Sequence, residues 1–167
     1  MKKLAIVGLL ALGSFLAGCG ATRTPTTAAA GGNWEVSFAG PPANETLFDF
    51  ETTFSVNAGG GMSVSAVNFL TSSSDSCFPV TGVTASGAFD VTSLQSDPTA
   101  TANVTFSVQN GGNALAMTGT ATGVTNTVAL TTVWNAVTGT WTLTGSSSCT
   151  GSGTFTMCPH GLTCSTT

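Results

Sequence analysis

Basic side chains are almost missing from this chain. Its 167 residues hold three Lys or Arg and one His against seven Asp or Glu, and charged residues make up only 6% of the whole. Tyrosine is absent. These gaps exclude whole classes of function. A nucleic-acid partner requires clustered Lys and Arg to displace counterions from phosphates, and no such cluster exists. A polybasic patch for an anionic membrane surface is excluded on the same ground. Gly59-Gly60-Gly61 and Gly111-Gly112 do not form phosphate-cradling loops, because neither is followed by a Lys and a helical pattern. Long hydrophobic runs are missing too. The one apolar stretch, residues 4–15, falls short of the ~20 residues that a membrane-spanning helix needs. With 41% hydrophobic residues and so little charge, the chain has enough apolar surface to fold.

What is present begins with an address. Lys2 and Lys3 head the apolar segment 4–15, and Leu16-Ala17-Gly18-Cys19 follows directly. A charged head, an apolar middle and a small-residue cleavage site are the three parts of a secretory signal. The tetrapeptide resembles the lipobox of bacterial lipoproteins. That resemblance implies removal of residues 1–18, a diacylglyceryl thioether on Cys19, and usually a third acyl chain (palmitate or similar) on its amine. Two or three chains hold a protein firmly where one holds it marginally. The expected location is the cell envelope, lipid-anchored outside the cytoplasm. Gly20 stands after Cys19 in place of the Asp that retains such proteins in the inner membrane of enteric bacteria, which favours an outer membrane where one exists. After cleavage, Arg23 is the one basic residue left against Glu35, Glu45, Asp49, Glu51, Asp75, Asp90 and Asp97.

Residues 19–32 read as the lipidated cysteine and a flexible small-residue tether, and 33–167 as a single domain. Four cysteines remain besides the anchor: Cys77, Cys149, Cys158 and Cys164. An even count in an exported protein reads as two disulfides, with three connectivities possible. Cys77–Cys149 and Cys158–Cys164 are favoured, because the second pair closes a short Pro-His-Gly turn without disturbing any strand. A metal site through Cys158, His160 and Cys164 is disfavoured, since zinc-binding cysteine pairs are usually two to four residues apart. No cofactor is expected.

From Asn33 onward apolar residues alternate with polar ones. Trp34, Val36 and Phe38 form one such set; Phe48, Phe50, Phe54 and Val56 the next; Val104, Phe106 and Val108 a third. Leu115 and Met117 follow, then Val128, Leu130 and Trp134, then Val137, Trp141 and Leu143 opposite a row of threonines, and last Phe155 and Met157. A period of two marks strands with one buried and one wet face. Turn-forming stretches at 57–61, 110–113 and 122–126 separate the runs. Segments 71–84 carry weak patterning, with Cys77-Phe78-Pro79-Val80 a candidate short edge segment. No sustained helical stripe occurs. The expectation is an all-β fold: an antiparallel meander of eight to ten strands closed into an up-and-down or flattened barrel, with a β-sandwich as the alternative.

Gly32-Asn33-Trp34 resembles the Gly-x-Trp of lipocalins, in which the Trp plugs the closed end of an eight-stranded barrel and the open end holds a small apolar ligand. The basic residue that the family usually sets over that Trp has no counterpart here, since no Lys or Arg follows Arg23. Catalytic parts are scarce. His160 is the one side chain of suitable pKa for nucleophilic or acid–base work, and a disulfide-loop turn is the plainer reading of it. Asp49 and Glu51 share a strand face as a formal carboxylate pair, but opposite Phe48 and Phe50 they fall on the solvent side. Trp34, Trp134 and Trp141 fall on the apolar side of their strands, which favours core packing over a ligand site. The reading is a cell-envelope lipoprotein with a structural or interaction role and no catalysis. Its partners would be the membrane, through Cys19, and an envelope component or small apolar ligand. The alternative is a lipocalin-like carrier.

Overall fold

The period-two pattern resolves into eight strands that close on themselves. A computed structural model describes residues 30–39, 49–70, 77–78, 81–94, 99–126, 131–146 and 149–162. Cys19, Cys164 and the signal segment lie outside the described residues. The strands are β1 (Gly32–Ala39), β2 (Phe50–Val56), β3 (Gly61–Phe69), β4 (Thr84–Leu94), β5 (Thr99–Asn110), β6 (Asn113–Asn126), β7 (Thr131–Thr144) and β8 (Gly151–Pro159). Each pairs antiparallel with the next, and β8 pairs with β1, making a closed barrel with the strands in sequence order. The sandwich alternative is thereby set aside.

The interior is apolar and the exterior is not. Trp34, Val36 and Phe38 of β1, Phe50 and Phe54 of β2, Val104, Phe106 and Val108 of β5, and Val137, Trp141 and Leu143 of β7 are all buried. Phe50 touches Phe38, Phe69 and Phe106 at ring-centroid distances of 5.8, 5.5 and 5.9 Å, so aromatic side chains occupy the middle of the barrel. The outward positions form polar rows across strands. Thr105, Thr118, Thr140 and Thr154 lie side by side on β5 to β8, and all four are exposed. A membrane-spanning barrel reverses this arrangement, with its apolar band outside. Between β6 and β7 the backbones come too close for side chains: Gly119 faces Gly139, and a Cβ on Gly139 would run into the Thr118 carbonyl.

Two departures from strict alternation matter. Between Thr122/Gly123 and Ala136/Trp134 the register shifts, leaving Asn135 as an extra residue, so that Trp134 and Val137 both point inward despite opposite parity. The shift between Thr53 and Phe54 does the same in β3, placing Val64 and Val67 on the same side. Residues 122–126, expected to turn, instead continue β6 to Asn126, because the β6–β7 ladder runs on to Asn126↔Thr131. Of the candidate edge segment, Cys77 and Phe78 lie in a turn, and Pro79 and Val80 lie outside the described residues. The folded part reaches back to Ala30, which is fully buried and whose carbonyl accepts a hydrogen bond from Trp34 Nε1 at 2.9 Å.

Candidate functional site

An up-and-down meander sorts its connections between two ends. Into one end run the turns β1–β2, β3–β4, β5–β6 and β7–β8. The other end gathers the turns β2–β3, β4–β5 and β6–β7, the chain entering β1 at Gly32, and the chain leaving β8 at Pro159. The first end is tied by the disulfide Cys77–Cys149, which joins the β3–β4 and β7–β8 connections across 72 residues. Cys158 is also disulfide-bonded. It is buried although it stands at an outward position of β8, next to the buried Met157.

His160 follows β8 at the second end, where its amide donates to the Asn33 carbonyl at 2.8 Å. Its Nδ1 lies 3.2 Å from Glu51 Oε1, on the outside of the barrel and reaching across β1. The sequence did not pair these two residues; the barrel does, because β1 is flanked by both β2 and β8. The imidazole is 57% exposed and the carboxylate 36% exposed, so this is a screened surface pair. Asp49 does not join it. Its Oδ1 accepts the Phe38 amide at 3.0 Å, a bond that ties the start of β2 to β1. Asp49 and Glu51 therefore serve different neighbours and form no acid–base pair. Among the described residues no group of His, Cys, Asp and Glu is arranged to hold a metal ion.

All three tryptophans are buried, as their strand parity implies. Trp34 stacks on Phe54 at 6.0 Å, and Trp141 meets Phe38 edge-on at 5.6 Å and donates from Nε1 to the Ala39 carbonyl at 3.2 Å. Trp134 packs edge-on against Phe89 at 4.8 Å, but its buried Nε1 has no hydrogen-bond partner. Trp34 and Trp134 both line a notch of about 460 Å³ at the second end, bounded by Gly32, Val133 and Pro159. The notch exists because β8 leaves β7 at Val137↔Met157, while β7 itself starts at Thr131.

Sequence reasoning missed one feature of this end. Val124 and Val133 face each other directly across β6 and β7 and are 49% and 61% exposed. In sequence Val124 falls in a turn-forming stretch and Val133 between residues of the inward parity, so neither stands out. Comparison of the chain with family models, with curated proteins and with solved structures gives no match.

Proposed function

We propose that this protein is a cell-envelope lipoprotein, anchored through Cys19, that works through its surface as a structural or interaction component and not by catalysis. The observation that carries the reading is the packed barrel interior. Phe50, with no exposed surface, is ringed by Phe38, Phe69 and Phe106, where a carrier would need an open cavity of several hundred Å³. The candidate catalytic groups give it further support. Glu51 and His160 form an exposed pair on the outer wall, and Asp49 is engaged by the backbone of β1. Replacing Cys19 with Ala should release the protein from the membrane fraction or leave it uncleaved. Retention in that fraction at the mature mass would contradict the anchor.

A carrier of small apolar ligands is the second reading, and the notch lined by Trp34 and Trp134 favours it. Titration with an apolar fluorescent probe separates the two. Saturable quenching of tryptophan emission supports the carrier, and its absence supports the surface role.

A further inference from the structure

Four large hydrophobic side chains among the described residues are notably exposed: Leu70, Val124, Val133 and Leu162. Three of them gather at one end. Val124 and Val133 form a cross-strand pair near the tip of the β6–β7 hairpin, and Leu162 follows β8 in the turn that the Leu162 amide closes onto the Pro159 carbonyl at 3.1 Å. Leu70 stands alone at the opposite end, just after β3. The end with three is also the end at which the chain enters β1.

This end is not level. β3 meets β4 at Gly61↔Ala88, yet β4 continues to Leu94. On the other flank, β7 extends from its last pair with β8, at Val137, back to Thr131. Strands β4 and β7 thus each run six residues past their last pairs with β3 and β8, about 20 Å of strand at ~3.3 Å per residue, and β4 to β7 form a lip at this end. Val124 and Val133 lie on its outer face, and neither β6 nor β7 carries a charged residue.

We infer that the outer face of this lip is a docking surface for the lipid bilayer, seating the barrel on the membrane with the Val124–Val133 pair toward the lipid. The inference rests on the lipid anchor proposed at Cys19. Residues 20–29 separate that cysteine from the buried Ala30, and ten residues span at most ~35 Å when fully extended. Such a tether keeps the entry end near the bilayer and holds the Val124–Val133 pair close to the surface at an effective concentration on the order of millimolar. Anionic headgroups are not the partner, because no Lys or Arg follows Arg23 and His160 is paired with Glu51. The contact is apolar, through the Val124–Val133 pair with Leu162 at the same end, and it operates on neutral lipid.

The test uses the full chain, lipidated in a bacterial host and reconstituted into phosphatidylcholine vesicles. Val124→Cys, Val133→Cys and Leu70→Cys variants each carry an environment-sensitive fluorophore, and peptide mapping first verifies the Cys77–Cys149 bridge. Probes at 124 and 133 should shift to the blue and be quenched by spin-labelled lipid, while the probe at 70 should report water. If all three report water although mass spectrometry finds the diacylglyceryl group on Cys19, docking is refuted and the anchor stands. If Cys19 carries no lipid, the anchor and the docking fall together.

Discussion

Trp34 and Trp134 occupy the same end of the barrel and differ in one hydrogen bond. Trp34 Nε1 donates to the Ala30 carbonyl, whereas the buried Trp134 Nε1 has no partner. A buried donor left unpaired costs about 1–3 kcal/mol, and removing one member of a satisfied pair orphans the other. The two positions should therefore respond unequally to Phe, which deletes the N–H and much the same ring area in each. Trp34→Phe leaves the Ala30 carbonyl without its donor, while Trp134→Phe removes an existing defect. Urea unfolding should show Trp34→Phe as the more destabilised by about 1 kcal/mol or more. Equal losses would mean that the Trp134 nitrogen is satisfied by a ligand or a water in solution. At this scale the sequence was informative about burial and silent about partners. The parity of its strand marks Trp134 as inward, but nothing in the local pattern says which carbonyl an indole will reach.

Elements were legible in proportion to how faithfully they alternate. β1, β5 and the second half of β7 keep strict parity with large apolar residues, and the parity of Trp34, Val104 and Trp141 matches their burial. β3 carries no legible strand pattern. Its Met62 and Val64 are on even positions and its Val67 and Phe69 on odd ones, because the register shifts opposite Thr53 and Phe54. Among its described side chains β4 sets Ala85, Gly87, Phe89 and Val91 on its inner side, two of them too small to signal burial. Bulges are also where a strand can be tested. Asn135 is the residue that lets Trp134 and Val137 both face inward. Deleting it forces one half of β7 to turn over, since a one-residue slip moves every side chain beyond it to the other face. Either Trp134 would be expelled, leaving Phe89 without its edge contact, or Val137, Trp141 and Leu143 would be. The expected outcome is loss of the near-ultraviolet circular dichroism of packed tryptophans and of cooperative unfolding. Retention of both would mean that the bulge relocates and does not fix the register.

As a whole molecule, the barrel is only as closed as its thinnest junction. β6 and β7 pair along most of their length, but β3 and β4 share two pairs, Gly61↔Ala88 and Met62↔Gly87, before they separate. A cleft of about 160 Å³ lies where they part, lined by Val64, Ala66, Val67, Val83 and Ala85. Side chains and a covalent bond take over where the ladder stops. Phe78, just before β4, is buried and stacks on Phe69 of β3 with centroids 5.3 Å apart and planes within 9°. Beside it Cys77 is bonded to Cys149, and the Cys77 carbonyl accepts from Asn113 Nδ2 at 2.8 Å. Phe78 therefore plugs the seam, and the disulfide holds the plug in place. On the chain-entropy model, closing a loop of this length contributes about 4 kcal/mol, and a buried Phe→Ala change costs about 3–5 kcal/mol. The two losses should not add, because the bridge acts largely by keeping Phe78 where it stacks. Native-state hydrogen exchange should find the amides of residues 64–69 among the first of the barrel to open, ahead of β6 and β7. Phe78→Ala should speed that opening selectively, and reducing the bridge in the Phe78→Ala variant should add less than reducing it in the native protein. Uniform exchange across β3 and β6 would show instead that the barrel opens as one unit and that the seam is not its weak point.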